Sequence, residues 1–399
     1  MPNFLKTVLL SFICFTALSF LFSCRSDTEP DSRVVKHPIP ELIPFHDQSH
    51  IAIDDKHPFQ EMSQPDSGLV LLHHYLEDSS NFAQKQLDII IEDAQDTKIE
   101  SITSNRFIIL DTENDQLYEV DLQSDETQLI ANFGRGPGEI QHSRDLEFSN
   151  NQIYVARRDM RISRFNCVNN PCSYDSTLNI EQQPISIAFT SNDLAIASGL
   201  MYLGNQDLES NNVIDFPAIQ IMDPDSFKIK KTLGNIYRTR YLRVLGHFSR
   251  TALLESMPQS GKLIWANRWF PLIYVYDTSG LLSTYQLTNF HQNTFEFFPN
   301  SHRNRFTFDS KYTRVIEVDR LNENEILIVS KTESKSKNST EENEIYDFKF
   351  NYYVINLFNE KAYKVGTDMY SGEYQRLLFV KNNHLFKIEK GGLYLLEKF

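Results

Sequence analysis

Residues 107–121 read Phe107-Ile-Ile-Leu-Asp111-Thr-Glu-Asn-Asp-Gln116-Leu-Tyr-Glu-Val-Asp121. Two short runs of Ile, Leu, Val, Tyr and Phe flank four polar residues, and each run ends in Asp. Runs of this kind are short strands, and the polar spacer is a tight turn. The terminal Asp has a local role there, because its carboxylate accepts hydrogen bonds from the backbone N–H groups of the turn. The unit recurs along the chain: at Leu146-Glu-Phe, Gln152–Ala156 and Arg161–Asn166; at Leu263-Ile-Trp and Leu272–Gly280; at Glu325–Val329 and Tyr352–Asn356; and at Leu378-Phe-Val, His384–Ile388 and Leu393–Leu396. Further strand runs lie between these copies, at Ile185–Phe189, Leu194–Ala197 and Ile219–Met222. No long helical period competes with them. Repeats of about 40–50 residues, each of four short strands, indicate a β-propeller. About 310 residues at about 50 per blade give six blades. A large β-sandwich is the alternative, but it leaves the recurrence unexplained. A propeller must close on itself, so Leu393–Leu396 is expected to share a blade with Gln86–Glu92, leaving no open edge at the seam.

Composition agrees with an all-β chain. There are 29 Phe and 18 Tyr against 2 Trp, and aromatic and β-branched side chains suit a pleated, half-buried surface. The net charge is −14. That balance argues against a nucleic-acid binder, since nucleic acid is bound mainly by Lys and Arg neutralising phosphate. It equally speaks against a basic patch held on anionic lipid.

The first 24 residues carry a different message. A short n-region with Lys6 precedes the apolar run Thr7–Phe22, and Leu21-Phe-Ser-Cys24 follows. This arrangement resembles a bacterial lipoprotein signal, in which the cysteine becomes the lipid-modified first residue. The resemblance implies lipidation at Cys24 and anchoring to a membrane through the lipid chains. An uncleaved N-terminal anchor helix is the other reading. Loss of residues 1–23 would remove Lys6 and no acid, leaving a charge of −15. Arg25-Ser-Asp-Thr-Glu-Pro30 loosely resembles the acidic stretch that directs some Gram-negative lipoproteins to the outer membrane or surface. Residues 24–85, with Pro30, Pro38, Pro40, Pro44, Pro58 and Pro65, read as a tether and N-terminal segment. The later part, around Gly68-Leu-Val-Leu-Leu-His-His74, could pack on the domain as a strand or a short helix. The expected organisation is therefore signal peptide 1–23, tether and N-terminal segment 24–85, and six-bladed propeller 86–399.

The sharpest local motif is Phe133-Gly134-Arg135-Gly136-Pro137-Gly138-Glu139-Ile140. Three glycines and a proline within five residues force a tight, non-repetitive backbone. The segment Phe133–Phe165 resembles the NHL-like and TolB-like six-bladed propeller lipoproteins of Gram-negative bacteria, a largely uncharacterised family. There a Gly-Arg-Gly-Pro-Gly-Glu-Phe turn leads into the next blade, followed by strands like Gln152-Ile-Tyr-Val-Ala156 and Arg161-Ile-Ser-Arg-Phe165. This chain departs from that pattern at Ile140, where Phe is usual, and in the hairpin Cys167–Cys172. The resemblance implies an inter-blade turn over Gly134–Glu139 and an envelope location, and it supplies no active site. A ligand-facing loop, with Arg135 or Glu139 at the channel mouth, is the other reading. A phosphate cradle does not fit, since no Gly-Lys-Ser/Thr and no helix follow.

Four cysteines occur. Cys14 falls in the signal and Cys24 is the lipidation candidate, so Cys167 and Cys172 remain, in Cys167-Val-Asn-Asn-Pro-Cys172. The spacing fits a hairpin closed by a disulfide, as an exported chain allows. Two free thiols or half of a metal site are the alternatives.

Catalytic signatures are sparse. The chain lacks His-Glu-x-x-His, Gly-x-Ser-x-Gly and an EF-hand loop. His73 and His74, if on a strand, point to opposite faces. His46, Asp47 and His50 lie in the tether. Asp88, Asp111, Asp121, Asp277 and Asn356 end or interrupt strands and read as turn caps. Their functional alternative is a divalent cation in the channel, which needs Glu, Asn and Asp converging from different blades. The polar insertion Glu333–Asn343 reads as a loop. The basic clusters Arg238–Arg243 and Asn300–Arg305 read as salt-bridged surface. The expected function is a lipid-anchored envelope propeller that binds a protein, peptide or glycan, without cofactor or nucleic acid. A cation-dependent lactonase-, hydrolase- or lyase-type enzyme is the alternative.

Overall fold

The recurring strand unit closes into a ring. A computed structural model of the protein describes residues 35–38, 51–53, 68–91, 97–181, 183–198, 214–239, 252–269, 271–291, 294–297, 305–307, 311–336, 345–371 and 376–398. Residues 1–23, read from sequence as a signal peptide, and Cys24, His46, Asp47, His50 and residues 240–243 and 300–304 lie outside them. Six antiparallel four-stranded blades follow one another. Blade 1 is Thr97–Ser101, Arg106–Asp111, Gln116–Asp121 and Glu126–Ala131. Blade 2 is Ser143–Ser149, Gln152–Arg157, Arg161–Asn166 and Ser173–Asn179. Blade 3 is Pro184–Thr190, Asp193–Ser198, Ile214–Met222 and Ile229–Thr239. Blade 4 is Ala252–Met257, Lys262–Asn267, Leu272–Tyr276 and Leu281–Leu287. Blade 5 is Lys311–Asn322, Glu325–Lys335, Tyr346–Asn356 and Lys361–Ser371.

Blade 6 is the seam. Arg376–Lys381, His384–Glu389 and Gly392–Lys398 are completed by Phe82–Ile90, which pairs antiparallel with the last strand of the chain. Leu396 stands opposite Gln84 and Tyr394 opposite Gln86. The closure expected from the sequence is therefore formed. It starts four residues earlier than the strand read from sequence, because Phe82 is buried against Tyr75 rather than exposed in a tether.

Two pieces of the N-terminal segment join the propeller. Ile51–Ile53 adds a fifth, parallel strand to the outer edge of blade 4, with Ile53 opposite Leu287. Gly68–Glu77 is an α-helix that buries Leu69, Val70, Leu72 and Tyr75 against blades 5 and 6. A β-carbon at Gly68 would collide with the Asn382 carbonyl and the Val380 side chain, so the helix starts where only glycine fits. His73 and His74 thus lie on a helix and not a strand. His73 Nδ1 donates to the Val365 carbonyl at 2.9 Å, and Lys398 Nζ lies 2.7 Å from His74 Nδ1.

Apolar side chains of adjacent blades interlock between the sheets. Ile108, Leu110 and Leu117 of blade 1 meet Leu146, Ile153, Val155 and Phe165 of blade 2. Ile264, Ile273 and Val275 of blade 4 meet Val315, Ile326 and Ile328 of blade 5. Strands buried on both faces read as nearly continuous apolar runs, as in Phe107–Leu110. A separate small sheet pairs Val35–Pro38 with Thr294–Phe297 and that strand with Arg305–Thr307.

Turns within the blades repeat one device. After the third strand of each of the first five blades an Asp or Asn side chain accepts from the backbone of the turn. Asp121 takes Gln123 N at 2.8 Å, Asn166 takes Val168 N at 2.9 Å, and Asp223 takes Ser226 N at 2.9 Å. Asp277 takes Gly280 N at 3.0 Å and Asn356 takes Phe358 N at 3.1 Å. Asp111 does the same one turn earlier, toward Glu113 N.

Candidate functional site at the propeller axis

The first strands of the six blades touch one another in sequence around the ring, so they line the axis. Three of them share a pattern: a charged residue, an apolar one, then a second charged residue. These are Lys98-Ile-Glu100 in blade 1, Asp145-Leu-Glu147 in blade 2 and Glu317-Val-Asp319 in blade 5. Residues two apart on a strand share a face, so each strand turns two charges the same way. A bulge between Val315 and Glu317 re-aims the blade 5 strand just before its first carboxylate. Blade 6 contributes Lys381 at the end of its first strand and blade 4 contributes Glu255.

These groups reach across the ring. Lys98 Nζ holds both oxygens of Glu317, at 3.0 and 3.1 Å. Lys381 Nζ bridges Glu100 at 2.9 Å and Asp319 at 2.7 Å, tying blades 6, 1 and 5 together. Asp145 accepts from Ser186 Oγ at 2.5 Å and Ile187 N at 2.9 Å. Ser186 Oγ in turn accepts from Leu254 N at 2.9 Å, which links blades 2, 3 and 4. A buried charge is tolerable only when paired and hydrogen-bonded, and these contacts supply the pairing.

Burial and mutual repulsion set the protonation of the acids. Burial pushes the Asp319 carboxyl up to about 7, with Glu100 and Glu317 adding to it and Lys381 opposing. Burial likewise pushes Glu255 up to about 8, against the pull of Arg320. Glu147 is raised well above the carboxylate range, first by burial and then by the neighbouring charges of Glu255 and Glu100. Burial works against the Lys381 ammonium, but Asp319, Glu100 and Glu255 outweigh it and hold the ammonium strongly charged.

The sequence reading pointed elsewhere. Gly134–Glu139 connects the outer strand of blade 1 to the inner strand of blade 2, and its acid turns inward on the loop: Glu139 Oε2 accepts from Gly136 N at 2.6 Å. A β-carbon at Gly134 would collide with that carboxylate, and Gly138 takes a positive φ of 82° against Tyr174. Arg135 donates to Gln141 Oε1 at 3.0 Å. Cys167 and Cys172 form a disulfide, buried in the apolar layer between blades 1 and 2. The turn-capping Asp and Asn residues sit at hairpins and do not converge on the axis. Among the described residues no three His, Cys, Asp or Glu side chains meet so as to hold a metal ion. The axial carboxylates come from several blades, as the cation-site alternative requires, but among the described residues they do not gather at one point, and Lys98 and Lys381 pair with Glu317, Glu100 and Asp319. The available signal was the charged–apolar–charged pattern; the sequence reading took Leu146-Glu-Phe only as strand and drew nothing from Lys98–Glu100 or Glu317–Asp319.

No protein-family model matches the chain, and no curated protein matches it. Solved structures share the fold. A candidate exported protein of Bacteroides fragilis is 11% identical, with a TM-score of 0.51, over 88% of this chain and 100% of that one. A member of the DUF4221 family from Bacteroides vulgatus is 10% identical, with a TM-score of 0.49, over 80% and 99%. The β-propeller domain of Cps50 (Swd1) from Myceliophteria thermophila is 7% identical, with a TM-score of 0.41, over 78% and 99%.

Proposed function

We propose that this chain is a binding module of the cell envelope, lipid-anchored through Cys24, whose propeller holds a protein, peptide or glycan partner. One observation carries the binding reading: Lys98 and Lys381 reach across the ring to carboxylates of other blades, so the axis is built to hold ammonium groups among acids. The envelope location is supported by the lipoprotein-like N-terminus, by a disulfide of the kind that persists in oxidising compartments, and by the exported character ascribed to the Bacteroides fragilis protein. The family reading, an NHL-like or TolB-like lipoprotein, rests on the Gly134–Glu139 motif and the blade pattern that follows it.

Two measurements test this function. Palmitate labelling with membrane fractionation should place the native chain in the membrane fraction and move Cys24→Ala to the soluble one. Chain from residue 25 onward should be retained saturably on an envelope fraction of protein, glycan or both. Saturation absent from every fraction, together with turnover of an ester or lactone, would replace the binding module with an enzyme.

A further inference from the structure

Two of the axial carboxylate sets carry their own lysine: Glu317 has Lys98, and Glu100 with Asp319 has Lys381. A third set does not. Glu147 of blade 2 is more than nine-tenths buried and makes no hydrogen bond or ion pair among the described residues. It stands two residues beyond Asp145 on the same strand face, and the Asp145 carboxylate reaches across to blade 3. Its strongest charged neighbour is Glu255 of blade 4, also nine-tenths buried. The Glu255 carboxylate accepts from the adjacent Ser256 N at 2.8 Å and from no other group among the described residues. The other charges facing the pair are Glu100, Asp145 and Asp319, and the cations Arg320 and Lys381. Lys381 is committed to Glu100 and Asp319, and Arg320 makes no ion pair with either Glu147 or Glu255 among the described residues. Burial and the neighbouring acids hold the two carboxyls protonated while no cation reaches them, and an arriving cation would let them ionise.

We propose that Glu147 and Glu255 receive a primary alkylammonium group from the ligand, in the way Glu100 and Asp319 receive Lys381. This rests on the binding-module reading and names the chemistry its partner must present. A slim aliphatic ammonium fits the setting, because the two lysines already inside the ring show that the axis accepts one between carboxylates. A divalent cation fits less well, since three acidic ligands do not gather at one point among the described residues. Glu100 and Arg320, toward the hairpin ends of their first strands, are both partly exposed and leave that end of the axis within reach of solvent. The ammonium could come from a diamine or from a lysine side chain.

Calorimetric titration of the chain from residue 25 onward with cadaverine, N-acetyl-lysine methylamide and calcium chloride tests this. Saturable binding of either amine is expected, and it should fall at least tenfold in both Glu147→Gln and Glu255→Gln. Preference between the two amines identifies the source of the ammonium. Binding should also release protons near pH 7, read as a dependence of the heat on the buffer's ionisation enthalpy, which needs no variant and survives any folding defect. No amine binding would overturn the proposal, as would binding without proton release or binding unchanged in both variants. Calcium that displaces amine through Glu147 would overturn it in favour of a metal site. Failure here with saturable envelope retention leaves the binding module standing with another ligand chemistry, whereas failure of both removes the module itself.

Discussion

Single side chains hold neighbouring blades in register. Asp115, in the turn after the second strand of blade 1, accepts from His142 N at 2.8 Å and from both Ser143 N and Ser143 Oγ at 2.7 Å. Those donors begin the inner strand of blade 2, so one carboxylate fixes where the next blade starts. Asp115→Ala would orphan three donors in a buried setting and should cost about 3 kcal/mol in denaturant unfolding. Glu255 and Asp319 make a pH prediction. Their folded values, about 8 and about 7, lie above those of an unfolded carboxylate. Between the two limits the folded chain binds more protons than the unfolded one, so this contribution is fully present at low pH and is lost as pH rises through 7 to 8. Glu255→Gln should raise the melting temperature at pH 8 and leave it nearly unchanged at pH 5. A variant less stable at pH 8 would show the carboxylate to be paired and charged instead. At this scale the turn-capping Asp111, Asp121, Asp277 and Asn356 were readable, because an Asx turn is decided by neighbours in sequence. Glu147 and Lys381 were not, because the groups that face them come from other blades, as Glu100 does to Lys381 from 281 residues away.

Elements show where local pattern and tertiary context part. The Cys167–Cys172 hairpin packs its sulfurs between blades 1 and 2, and Cys172 N donates to the buried Glu119 at 2.8 Å. Glu119 is also paired with Arg106. The hairpin therefore ties the outer part of blade 2 to the third strand of blade 1. Removing the cross-link by the double change Cys167→Ser, Cys172→Ser should cost about 2 kcal/mol for so short a loop, read as a lowered melting temperature under non-reducing conditions. Ile51–Ile53 carries no signal of its own, being three residues in a proline-rich stretch. It becomes a strand because the edge of blade 4 offers free backbone groups and an apolar gap for Ile53, which is 1% exposed. Ile53→Ala should destabilise by about 2–4 kcal/mol, with faster amide exchange in Leu281–Leu287. Unchanged exchange there would mean that the added strand contributes no protection. The helix Gly68–Glu77 is a related case, since its apolar content suits helix or strand and only the surface of blades 5 and 6 selects between them.

At the scale of the whole molecule the ring is closed by the pairing of Phe82–Ile90 with Gly392–Lys398, strands about three hundred residues apart in sequence. Closure gives blade 6 its fourth strand and joins the two ends of the ring in one sheet, so that the blades pack on one another all the way round. A chain starting at residue 97 lacks the outer strand of blade 6, so it should lose cooperative unfolding and associate through the exposed edge. A single sharp transition from that truncated chain would show that closure is dispensable. Blade 3 was the least legible blade, because residues 199–213 separate its second and third strands and hide the spacing that revealed the others. By itself the sequence determined the strand runs, their turns, the blade count and the partners at the seam, since periodicity and turn chemistry act over a few residues at a time. Only the tertiary structure decided which charges meet at the axis, which of them lack a partner, and that part of the N-terminal segment belongs to the blades. Those outcomes depend on six strands, distant in sequence, being brought around one axis, where burial in a shared low-dielectric space makes each charge answer to the others.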